Sequence, residues 1–163
     1  MFYDQYLLNH ITQSSEHQNN NIGLCGLLGK IVQGLYEANE QENEAAFEQN
    51  FEALTTLINE IYSGQYPLMM NATLDNGLAG LGLVLHSLMA DGLIENSMEP
   101  LLVDIDAFVY AGSKKYFSKG NHAFETGGEG GLYYLTLRQD KSPATKKYVV
   151  DLTKAKKRFS KLA

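Results

Sequence analysis

The sequence predicts an all-α domain built from repeated helical hairpins, and three observations carry that prediction. Apolar residues recur at steps of three and four, strict apolar–polar alternation is almost absent, and a Gly-x-x-Gly motif opens three successive segments. The chain has 163 residues, 44% of them apolar and 20% charged, which suits one globular domain over residues 1–163. A domain of this size hides roughly 70% of the surface its unfolded chain exposes.

Taken in order, residues 2–17 carry Tyr3, Tyr6, Leu7 and His10 and predict a first, weaker helix. Residues 22–36, IGLCGLLGKIVQGLY, are apolar nearly all round, the mark of a buried helix. Phe47, Phe51, Leu54, Ile58 and Ile61 form one stripe of a helix over about 41–63. Residues 77–90, GLAGLGLVLHSLMA, are again apolar all round. Leu101, Leu102, Ile105, Phe108, Val109 and Gly112 mark a helix over about 98–117, with Pro100 in its first turn. A third Gly-led segment, GGEGGLYYLTLR, covers 127–138. Tyr148, Leu152, Ala155, Phe159 and Leu162 predict a last helix over about 143–162, opened by Ser142 before Pro143.

The Gly-led segments alternate with helices whose outer faces are polar. The glycine pairs are Gly23 and Gly26, Gly77 and Gly80, Gly127 and Gly130, at offsets of 54 and 50 residues. Glycine costs ~1 kcal/mol against alanine inside a helix, so its repetition at helix starts needs a reason. Close approach of backbones round an axis supplies one. The expected architecture is a partial α/α toroid with three inner and four outer helices, about three hairpins and an extra helix. In it, the N–H groups at the inner-helix starts would point into a shared cavity mouth.

Charge is unevenly spread. Residues 1–113 hold Lys30 as their one basic residue against fifteen acidic ones, whereas residues 142–163 hold seven Lys/Arg against Asp151. An acidic body rejects nucleic acid as the main partner. Cys25 is the single cysteine, so neither a disulfide framework nor a multi-Cys metal site is expected. With no run of ~18 apolar residues and no basic-then-apolar N-terminus, no membrane insertion is expected and the cytoplasm is the expected location.

LDNGLAGLGLVLHSLMADGLIE (74–95), LLVDIDAFVY (101–110) and GGEGGLYYLTLR (127–138) together resemble the lanthionine synthetase C-like (lanthipeptide cyclase-like) family. The resemblance covers roughly residues 20–140 and corresponds to the N-terminal half of a family member. It implies an α/α toroid linked to peptide modification, in which zinc held by a Cys and a Cys-His pair activates a substrate thiolate. Those ligand segments have no counterpart here. The family also places an Asp four residues before the third glycine pair, and that position is Ala123. The resemblance therefore implies a chain without cyclase activity by itself, and with no cofactor of its own.

Candidate site residues gather before the inner helices. His122 and Glu125 read as a proton-transferring pair at the cavity mouth, or as a polar loop whose carboxylate favours a helix N-terminus. Glu129 sits inside the third glycine pair, placed either for a peptide amine or cation or for the helix dipole. Asp75, beside Asn76, reads as an N-cap or a substrate contact, and Tyr133 as core or cavity wall. His86 reads as a satisfied core histidine and Cys25 as an inert buried thiol.

Three functions are compatible with this pattern. They are a lanthionine synthetase C-like protein or fragment, a non-catalytic peptide-binding module of the same fold, and a carbohydrate-active α/α toroid using Asp75, Glu125 and Glu129. The expected assembly is a head-to-tail homodimer with Tyr148, Leu152 and Phe159 near or beneath the interface, the alternative being a monomer whose last helix folds back over the open flank.

Overall fold

The computed structural model describes residues 22–24 and 26–160, so the expected helix over 2–17 and the side chain of Cys25 lie outside the described residues. Six α-helices follow one another: α1 (Leu27–Glu40), α2 (Glu44–Tyr62), α3 (Leu78–Ala90), α4 (Glu99–Ser118), α5 (Gly128–Arg138) and α6 (Pro143–Ser160). Two single 3-10 turns, Pro67–Met69 and Asn96–Met98, interrupt the connections, and no strand occurs among the described residues. The fold is all-α.

Local chemistry accounts for the starts of the outer helices. Asn43 caps α2 by accepting the Ala46 N–H at 3.1 Å. Ser142 accepts the Thr145 N–H at 3.1 Å, as expected from its place before Pro143. Pro100 occupies the first turn of α4, where its missing N–H costs nothing.

Three helices, α1, α3 and α5, run in the same direction. Leu24 and Gly80 meet near the starts of α1 and α3, and Tyr36 donates to Asp91 at 2.7 Å near their ends. Tyr134 of α5 lies against Gly82 of α3, 2.5 Å from where a Cβ would stand. The core sits round α3, where Leu78, Leu81, Leu83, Val84, Leu85 and Leu88 are all buried. Each such side chain gives roughly 1.5–3 kcal/mol on burial, which is why α3 needs no polar face. Helix α1 packs along α2, α3 against α4 and α5, and α6 against both α4 and α5.

The amphipathic stripes divide as the spacing predicts, with exceptions. In α2, Leu54, Ile58 and Ile61 are buried, and in α4 Leu102, Ile105 and Val109 are. Phe108, which its spacing places on the buried stripe, is instead exposed together with Val103, so the outward face of α4 is not wholly polar. Leu152 is fully buried inside its own chain, and Tyr148 stacks on Tyr110 with ring centroids 4.3 Å apart. Those two side chains are used within the domain, which leaves Leu152 a place beneath a dimer contact rather than in it.

Candidate functional site

The loops that enter α3 and α5 are two copies of one turn. Asn71 stands six residues before Gly77, and Asn121 six before Gly127. Each asparagine donates from Nδ2 across the turn, Asn71 to the Asn76 carbonyl at 3.1 Å and Asn121 to the Thr126 carbonyl at 3.0 Å. Each accepts at Oδ1 the N–H two residues on, from Thr73 at 2.9 Å and from Ala123 at 3.2 Å. Each backbone carbonyl then takes the first helical N–H, Leu78 to Asn71 at 2.8 Å and Gly128 to Asn121 at 3.1 Å.

This turn corrects two expectations. Asp75 and Asn76 do not cap α3, whose N-cap is Gly77 with no side-chain bond. The first helical N–H of each, on Leu78 and on Gly128, goes to a carbonyl of its own loop, so neither of these two donors opens onto a shared cavity mouth. Composition and helical periodicity do not single out these asparagines. Their common six-residue spacing was the available signal.

Neighbouring loops are joined edge to edge. Leu24 N–H donates to the Asp75 carbonyl at 3.1 Å, and Asp75 N–H donates to the Glu125 carbonyl, also at 3.1 Å. Apolar contacts repeat beside these bonds. Leu24 lies 3.2 Å from a Cβ position on Gly80, and Leu74 lies 2.9 Å from one on Gly130. Phe124 holds the corresponding place in the third loop and is 37% exposed, its ring edge-on to Tyr133 at 5.2 Å.

The register differs from the one read off the glycine pairs. The N-cap positions of α1, α3 and α5 are Gly26, Gly77 and Gly127, the last two with extended backbones. Gly23 instead lies against the Asp75 carbonyl of the neighbouring loop. The structural offsets are thus 51 and 50 residues, and the pair Gly23 and Gly26 does not superpose on Gly77 and Gly80. Close approach does explain Gly80 and Gly130, where a Cβ would collide with the carbonyl oxygens of Leu74 and Phe124.

The remaining site residues part company. His122 tilts against Phe117 at 5.1 Å, and its Nε2 is enclosed with no hydrogen-bond partner. It therefore forms no proton-transferring pair with Glu125 through that nitrogen. Glu125 itself is exposed on the loop joined to Asp75. Glu129 turns to the neighbouring helix, pairing with Lys156 of α6 at 2.9 Å. Both partners are substantially solvated, so the pair is worth little. Lys156→Ala should lower stability by no more than about 0.5 kcal/mol in urea denaturation, and a loss above about 1 kcal/mol would show that the pair anchors α6.

A polar cluster that the periodicity did not reveal lies toward the opposite end of the inner helices. Arg138, 1% exposed, closes α5. Its Nε lies 3.1 Å from each Asp106 oxygen, and its Nη2 donates to Asp106 at 2.8 Å and to Glu99 at 2.7 Å. Tyr134 donates to Asp106 at 2.6 Å. Burial works against the guanidinium charge, but Asp106 and Glu99 overrule it and hold Arg138 above its ordinary pKa. Burial and then Asp106 push the Tyr134 phenol well up.

A cavity of about 310 Å³ lies beside this cluster, lined by His86, Met89, Ala90, Asn96, Glu99 and Lys141. Burial, then Arg138 and Lys141, lower the pKa of His86.

No family model, curated protein or solved structure matches the chain. Among the described residues, no group of three or more His, Cys, Asp or Glu side chains could hold a metal ion. No helix among the described residues is long and apolar enough to cross a membrane.

Proposed function

We propose that the chain is a lanthionine synthetase C-like module linked to peptide modification, which holds a peptide at the loop end of α1, α3 and α5 without cyclising it by itself. The observation that carries this reading is the array of loops joined by Leu24–Asp75 and Asp75–Glu125 backbone bonds. Parallel inner helices with stitched loops at one end are what a partial α/α toroid requires. The array presents Asp75, the exposed Glu125 and the Phe124–Tyr133 pair along one rim, acids and aromatics suited to a peptide with basic and apolar side chains. A cytoplasmic location belongs to the same proposal, as does a second copy of the chain as partner. Glu129, engaged by Lys156, is not part of the rim.

The test is a fluorescently labelled linear peptide carrying Lys, Phe, Cys and dehydroalanine, titrated with the purified chain. Saturable binding is expected, weakened about tenfold in a chain carrying Phe124→Ala and Tyr133→Ala, a loss of ~1.4 kcal/mol. No thioether formation above the buffer rate is expected with zinc added. Absence of binding at about 1 mM peptide would remove the peptide-binding reading. Ring formation accelerated by the chain alone would remove its non-catalytic part.

A further inference from the structure

The outward faces of α2 and α6 are opposite in charge, and each has a regular helical spacing. On α6 the exposed stripe is Lys147, Val150, Lys154 and Lys157, at steps of three, four and three. Val150, 50% exposed, is the apolar centre of that stripe. On α2, Glu44, Glu48 and Glu52 are exposed at successive steps of four, and the helix carries no basic residue. Phe47 and Phe51, next to Glu48 and Glu52 on the same helix, line an open groove of about 770 Å³ together with Met89, Leu93, Ile94 and Met98. Glu95 also lines it.

We infer that this acid-flanked apolar groove receives the α6 face of a second copy of the chain, with Val150 entering the groove and the flanking lysines meeting Glu44, Glu48 and Glu52. Two considerations favour a second copy as the occupant. The groove offers what the α6 stripe lacks internally, an apolar floor with carboxylates along its edge. The two faces also belong to different hairpins of the domain, so each protomer can donate one and receive the other in a two-fold pair. An apolar contact ringed by complementary charge gives register and specificity. The inference rests on the self-association in the proposed reading and is independent of peptide binding. It moves the contact from Tyr148 and Leu152, which face their own chain, to the opposite side of α6.

Charge exchange tests it. The chain should be dimeric by sedimentation equilibrium in about 0.1 M salt, with dimer affinity falling at least about tenfold in about 1 M salt, where charges act over only ~3 Å. K147E/K154E/K157E and E44K/E48K/E52K should each be monomeric with unchanged helicity by circular dichroism. Mixed in equal amounts they should associate, because each then offers a face the other can bind. V150D should weaken the native dimer. A monomer at every concentration and salt would overturn self-association and this surface together. A dimer indifferent to both charge reversals would overturn this surface alone, and neither result would touch peptide binding.

Discussion

Gly80→Leu is expected to unfold the domain or leave it without fixed packing. A Cβ at this position would collide with the Leu74 carbonyl oxygen and come within 3.2–3.3 Å of the Leu24 side chain. The carbonyl belongs to the turn held by Asn71, so it cannot swing away without breaking the bonds that close that turn. Larger side chains in packed cores cost about 1–3 kcal/mol where neighbours can yield, and here the neighbour is backbone. Leucine should therefore cost at least ~3 kcal/mol, a large share of the roughly 5–15 kcal/mol available to a domain. Gly80→Ala should already be measurably destabilising. Urea denaturation followed by circular dichroism decides the matter, and a loss under about 1 kcal/mol for leucine would mean that the loop yields.

Arg138→Ala should be comparably damaging for a different reason. The substitution leaves Asp106, 2% exposed, with the Tyr134 hydroxyl but without the guanidinium that balances its charge. Breaking a buried ion pair by removing one partner costs about 3–5 kcal/mol, mainly because the surviving charge stays buried. Arg138→Lys keeps the charge but loses the fork that reaches Asp106 and Glu99 together, so it should fall between wild type and alanine. Asp106→Asn with Arg138→Met removes both charges and should recover much of the loss seen in Arg138→Ala. If Arg138→Ala unfolds at the wild-type urea concentration, the cluster is not holding α5 on α4.

The sequence by itself determined the helices and most of their buried faces. The stripe Leu54, Ile58, Ile61 can be satisfied only by a helix with one side covered, and the run Leu78 to Leu88 only by one covered on nearly every side. These properties depend on spacing along the chain, so α2 appears within three residues of its expected start and within one of its expected end. The glycine pairs likewise signal close approach, which at Gly80 and Gly130 is to the carbonyl of the helix's own entering loop rather than to the backbone of another inner helix.

Tertiary structure decided everything that depends on distance between segments. The register of the repeat could not be read from glycine spacing, because Gly23 serves the neighbouring loop while Gly26 starts α1. The destination of Glu129 was set by Lys156, twenty-seven positions away, rather than by its place in a helix's first turn. Asp106 and Arg138 show the same principle most sharply. Each looks like an ordinary solvated charge in its own helix, and only the packing of α4 on α5 removes both from water, so that each becomes the other's required partner.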